Sequence, residues 1–347
     1  MSEQINSRRR RLLGTTVAGI GLLELGLSGL ARAQSAETAG SANAGTRVAS
    51  FENIRSIKAG TLDISYAQAG PQNGPVVILL HGWPYDIQSF AEVTPLLTAA
   101  GYRVIVPYLR GYGGTRFLSA DTPRNGQQAV VAVDIINLMD ALKIDNAVLG
   151  GFDWGARTVN IIAALWPQRC KAMVSVSGYL IGSQEANRAP LPPKAELTWW
   201  YQFYFATERG RAGYEANRHD FNKLIWHTAS PKWNFDDATF ERSDESFNNP
   251  DHVAVVIHNY RWRLGLAQGE PQYDELEKRL ATAPTIAVPT ITMEGDANGA
   301  AHPDPAAYAK KFTGKYQHRN VSGGIGHNLP QEAPKAFAQA VLDVTRL

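Results

Sequence analysis

Cysteine is nearly absent: Cys170 stands alone in 347 residues, which excludes an internal disulfide. Net charge is small as well. Lys and Arg number 34 against 32 Asp and Glu, a formal balance of +2, and no basic stripe runs through the body of the chain. That argues against a dedicated nucleic-acid binder. Long apolar runs are missing too. The best candidate, Leu12 to Leu30, is broken by several glycines and Glu24, short of the roughly 20 mostly apolar residues a membrane span needs. His219, His227, His252, His258, His302 and His318 form no His-x-x-x-His pair, so neither a metal nor another cofactor is expected. No internal repeat is visible. What remains is a chain with 44% hydrophobic residues, enough for one large domain or two small ones.

The amino terminus stands apart from the fold. Arg8 to Arg11 precede the weakly apolar run, and Ala31-Arg32-Ala33 closes it. A charged start, an apolar middle and an Ala-x-Ala site together predict a cleaved signal over residues 1–33. The paired arginines resemble a twin-arginine signal, which implies the twin-arginine export machinery as a partner and a periplasmic or secreted mature protein with no membrane attachment. Residues 34–49 are rich in Ser, Ala, Gly and Thr and read as a flexible linker.

Beyond the linker, apolar runs alternate with helical patterns. Val76 to Leu80 is an unbroken aliphatic run, and Tyr102 to Tyr108, Ala147 to Leu149 and Lys171 to Ser177 also read as buried strands. Such strands are expected in a parallel sheet covered on both faces. From Gly178 to about Ala283 strand-like runs vanish and aromatics crowd in, which predicts a helical cap over 179–283. Sheet order resumes at Pro289 to Glu294, followed by a strand near Tyr316 to Val321 and a last helix from Pro334 to Val344. The core is therefore expected over 50–178 and 284–347.

The chemistry concentrates at strand ends. Gly151-Phe152-Asp153-Trp154-Gly155 joins a buried strand to a helix and has the form of the nucleophile elbow of the α/β-hydrolase fold, with aspartate in the nucleophile position. The fold class expected is α/β: a mostly parallel eight-stranded sheet with a helical cap after the sixth strand. Asp296 and His327 follow later strands, in the order nucleophile, acid, histidine. Asp153 is expected to be the nucleophile, His327 the general base and Asp296 the acid that orients the imidazole. The oxyanion hole is assigned to the N–H groups of Trp83 and Trp154. A carboxylate is already ionised at neutral pH and suits displacement at saturated carbon, giving an alkyl ester that water then splits.

On these motifs the chain resembles the α/β-hydrolase-fold epoxide hydrolases. The His81-Gly82-Trp83-Pro84 loop and the Gly-x-Asp-Trp-Gly elbow carry the likeness. It implies that two cap tyrosines polarise the epoxide oxygen. Tyr201 in Tyr201-Gln202-Phe203-Tyr204-Phe205 and Tyr260 before Arg261 match those positions, with His81, Pro84 and Tyr204 expected at the substrate. The implied substrate is a small apolar epoxide, with water as the second reactant. The same nucleophile serves haloalkane and haloacetate dehalogenases. For the first, Trp154 matches a halide-binding Trp; for the second, only Arg157 matches a carboxylate-binding arginine. A non-enzymatic binding protein on the same scaffold is the third alternative.

Overall fold

The computed structural model describes residue 51, residues 53–300 and residues 302–347. The expected signal and linker, 1–33 and 34–49, lie outside the described residues. Nine strands form one sheet: β1 (Ile54–Ala59), β2 (Leu62–Ala69), β3 (Val76–Leu80), β4 (Arg103–Pro107), β5 (Arg116–Phe117), β6 (Ala147–Gly151), β7 (Cys170–Val176), β8 (Thr290–Gly295) and β9 (Tyr316–Val321). Their order is β1-β2-β4-β3-β6-β7-β8-β9, with β5 paired to β2 off that path. β1, β2, β4 and β5 meet antiparallel at one end, and the pairs from β4 through β3 to β9 are parallel.

The expected eight strands are those of the main path. The ninth, β5, occupies a stretch where no strand was expected. Two residues cannot carry a period, and they count as a strand only because Leu62 and Asp63 pair with Phe117 and Arg116. The helical insertion accordingly follows the seventh strand in chain order, the sixth on the main path.

Helices cover both faces of the sheet. α1 (Val93–Ala99) and the C-terminal helix pack one face. α2 (Gln128–Ala141) and α3 (Trp154–Leu165) pack the other. Val77 to Leu80 of β3 and all of β6 are buried because neither face of these strands meets water, which is why they read as unbroken apolar runs. Between β7 and β8 lie α4 (Pro193–Thr198), α5 (Trp200–Phe205), α6 (Glu208–Ala216), α7 (Arg218–Ala229), α8 (Asp237–Asp244), α9 (His252–Arg263) and α10 (Asp274–Ala281). After β8 come α11 (Pro305–Tyr308), α12 (Leu329–Glu332) and α13 (Pro334–Val344), the C-terminal helix.

Polar contacts join the insertion to the sheet layers. The N-cap of α2 has no side-chain hydrogen bond of its own. Glu277 of α10 supplies one from afar, its Oε1 accepting the Ala129 N–H at 2.9 Å. A carboxylate is favoured there because the first amides of a helix lack intrahelical acceptors. Asn249, just before α9, donates to the carbonyls of Gly113 and Thr115.

Arg110, in the loop after β4, is buried against Asp134 of α2. Nε and Nη2 donate to the two carboxylate oxygens at 2.6 and 2.7 Å, and Nη1 donates to the Asn125 carbonyl. Removing one partner of such a pair leaves a buried, uncompensated charge. Arg110→Met is therefore expected to lower stability by about 3–5 kcal/mol, read as a lower midpoint of urea unfolding by tryptophan fluorescence. The double variant Arg110→Met/Asp134→Leu should recover most of that loss.

Candidate active site

The site lies at the carboxyl ends of β3 and β6. Asp153 follows β6 with φ 52° and ψ −124°, a left-handed conformation that a residue with a side chain rarely holds. It is held by close packing on both sides. A Cβ on Gly155 would collide with the Leu80 carbonyl at the end of β3, and one on Gly82 would collide with the Asp153 carboxylate. Only glycine lets the elbow and the loop after β3 approach this closely.

That approach brings the Trp83 N–H to Asp153 Oδ1 at 2.8 Å. The other oxygen, Oδ2, lies 3.4 Å from His327 Nε2. Trp154 is the first residue of α3, so its N–H has no intrahelical acceptor. Burial alone would raise the Asp153 pKa. The hydrogen bond and charge of His327, the Arg157 guanidinium and the Trp83 N–H outweigh it and hold the carboxyl below its ordinary 3.8.

Above the carboxylate opens a cavity of about 730 Å³, lined by Trp83, Asp153, Arg157, Tyr201, Tyr260 and His327 among others. Tyr201 and Tyr260 pack edge-to-face with centroids 5.4 Å apart, and each lies against the Trp83 ring at 5.1 and 5.3 Å. Burial, aided by the Asp153 charge, pushes Tyr201 up to about 12. Burial, then Tyr201 and Asp153, holds Tyr260 well above its ordinary 10.0. Both phenols thus remain proton donors at neutral pH.

Four expected positions fall elsewhere. Asp296 is exposed and does not reach His327. Its carboxylate accepts the N–H groups of Gly323, Gly324 and Ile325 at 2.8 to 3.1 Å, three donors in a loop that turns back over β8. His327 Nδ1 is buried with no hydrogen-bond partner among the described residues. His81 lies beneath the loop and outside the cavity lining: Nδ1 meets the Gly82 carbonyl and Nε2 accepts the Leu109 N–H. Burial lowers its pKa to about 4, so it is neutral. Pro84 also lies outside the lining, and its carbonyl accepts the Trp226 Nε1–H at 2.6 Å. Tyr204 stacks on Phe221 with its hydroxyl toward Gly213, away from the cavity.

Sequence inspection missed the brace behind His327. Ser230 Oγ accepts the His327 N–H at 2.9 Å and donates to Glu332 Oε1 at 2.7 Å. Glu332 also accepts the N–H groups of Gly326 and Asn328, so one carboxylate grips the backbone on both sides of the histidine. Glu332 lies five residues from His327 and was within reach of local reading. Ser230 lies 97 residues away and carried no signal.

A family model described as the alpha/beta hydrolase fold matches residues 75–218. Epoxide hydrolase B of Mycobacterium tuberculosis is 34% identical over 151 residues, 40% of this chain and 42% of that protein. The chain thus spans about two-fifths of the length of that curated relative. Epoxide hydrolase A of the same organism is 27% identical over 306 residues, 80% of this chain and 92% of its own length. A crystal structure from Klebsiella pneumoniae subsp. pneumoniae, provisionally assigned as an epoxide hydrolase, is 64% identical with a TM-score of 0.85. The match covers 87% of this chain and all of that one.

Burial works against ionisation of Asp153, and His327 does most to offset it through its hydrogen bond and its charge. His327→Gln is therefore expected to raise the carboxyl titration midpoint. In the intact protein the Asp153 carboxylate persists as pH falls below 3.8; in the variant it is protonated at higher pH. Carbon-detected NMR of labelled aspartate reads both midpoints. Equal midpoints would disconnect the two groups.

Proposed function

Because the chain belongs to the epoxide hydrolase family of the α/β-hydrolase fold, we propose that it opens epoxides to vicinal diols through an ester on Asp153. One observation carries this reading: the Asp153 carboxylate has one oxygen on the Trp83 N–H and the other toward His327, beneath the buried Tyr260 and the half-buried Tyr201, which share its cavity. Oδ2 attacks a ring carbon and the C–O bond of the epoxide breaks. The departing oxygen is a strong base and takes a proton from Tyr201 or Tyr260. His327 Nε2 then removes a proton from water, whose oxygen attacks Cγ of the ester. The charge that develops on Oδ1 is held by the Trp83 and Trp154 N–H groups. Cleavage of the Cγ–Oδ2 bond releases the diol, whose second hydroxyl takes the proton from His327, and the proton left on the regenerated Asp153 carboxyl returns to the deprotonated tyrosine. Asp296 has no part in this sequence. Glu332 supplies negative charge behind the histidine loop, and its carboxylate and the imidazolium attract each other.

Dehalogenation is the second reading and draws on one observation: the buried Trp154 Nε1–H has no acceptor among the described residues, a donor a halide would use. Against it, the indole N–H of Trp83 is already committed to Tyr214 Oη at 2.9 Å.

Intact mass spectrometry of His327→Gln mixed with styrene oxide, and separately with a bromoalkane and a haloacetate, tests these readings. A gain of the whole epoxide mass is expected. A gain of substrate minus halide would transfer the assignment to dehalogenation, and no adduct from any of them would favour a binding protein. Tyr260→Phe should slow ester formation about 10²–10⁴-fold.

Export of the mature protein through a signal over residues 1–33 belongs to the same proposal. Amino-terminal sequencing of protein from the periplasmic fraction is expected to begin at Gln34. Its retention at full length in the cytoplasm would remove that part.

A further inference from the structure

The charge balance of the cavity is unusual for a site that takes a neutral epoxide. Asp153 is the only carboxylate among its described lining residues, yet two guanidinium groups, Arg157 and Arg263, line it as well. Arg157 lies four residues past Asp153, one turn into α3, and its Nε donates to the Leu180 carbonyl at 3.2 Å. Its two Nη atoms make no hydrogen bond among the described residues. Arg263 ends α9, three residues past Tyr260, with its guanidinium 5.4 Å from the Trp199 ring and 5.7 Å from that of Tyr260. It has no hydrogen bond or ion pair from its side chain among the described residues.

Both arginines are half-buried, and cations partly withdrawn from water are ordinarily paired, because desolvation without a counter-charge is costly. Here the two arginines come from separate layers and converge on one space. Burial and the charge of Arg263 together lower the Arg157 pKa to about 10, as expected for two cations that feel each other. Asp153 cannot be their lasting counter-ion. Forming the ester removes its charge, which would leave two guanidinium groups and no carboxylate in the cavity during the intermediate. An anion carried by the substrate would remain through both steps.

We propose that the preferred substrate is an epoxide bearing a carboxylate, gripped between Arg157 and Arg263, with its apolar part against Leu180, Ile181, Leu191 and Trp199. The proposal rests on the epoxide-opening reading above and adds the charged group to it. Planar guanidinium groups pair well with a carboxylate through two parallel hydrogen bonds.

The test compares a series of terminal epoxides with a carboxylate at increasing distance from the ring, each against its methyl ester. At the best chain length the acid is expected to exceed the ester in kcat/KM by about tenfold or more, mainly through KM. Added salt should shrink that ratio. Arg263→Met and Arg157→Met should each bring it toward one, and Arg263→Lys should restore part of it. An acid-to-ester ratio near or below one at every chain length, or a ratio that Arg263→Met leaves unchanged, would overturn the proposal. Should no epoxide of any kind turn over, the epoxide reading fails, and calorimetry decides the charge reading separately. Binding of hexanoate, but not hexanamide, that is lost in Arg263→Met supports an anion site; equal binding of the two compounds refutes it.

Discussion

A main-chain amide and a carboxylate meet at 2.8 Å across two neighbouring strand ends because no side chain stands between them. The loop after β3 reaches the elbow after β6 only where Gly82 and Gly155 leave space, and Asp153 takes up a left-handed backbone in return. Such a conformation costs on the order of 1–3 kcal/mol and persists only when surrounding packing enforces it. Here the enforcement is the parallel pairing of β3 with β6 together with the start of α3 pressed on the Leu80 carbonyl. Everything else in the site is arranged around the carboxylate that this turn exposes.

Trp83 extends that arrangement into the helical insertion. Its amide holds Asp153, while its indole N–H holds Tyr214 Oη, which also meets Asn222 and His252. Its ring lies against Tyr201, Phe205 and Tyr260. Each aromatic pair of this kind contributes about 0.5–1.5 kcal/mol beyond its buried area. One residue therefore sets both an amide donor to the Asp153 carboxylate and the placement of the phenols above it. A polar group at the centre of an aromatic cluster is costly unless satisfied, and the Tyr214 contact satisfies this one.

Legibility in the sequence followed the range of the forces involved. The elbow, the buried strands and the order of Asp153 and His327 could be read because each rests on a few adjacent residues: glycines at a tight turn, aliphatic runs, a histidine just past a strand. Tyr201 and Tyr204 could not be separated that way. Three residues apart on a helix, they point within about 60° of each other, and only the stack of Tyr204 on Phe221 sends one away from the cavity. His81 and Pro84 sit in the expected loop but face into the structure, where Leu109 and Trp226 claim them. Asp296 occupies the expected strand end, yet three nearby loop amides compete for its carboxylate and hold it.

What the sequence determined by itself was the α/β layering, the aspartate at the elbow and the histidine after the last strand, since hydrophobic period and turn chemistry act over a few residues. Tertiary structure alone decided what surrounds them. The Ser230–Glu332 brace behind His327 joins two segments remote in the chain, and the Arg157–Arg263 face of the cavity joins the sheet layer to the insertion. Hydrogen bonds and charges act through space, so partners drawn from separate elements leave no mark in local spacing. They become partners only when packing fixes where those elements lie.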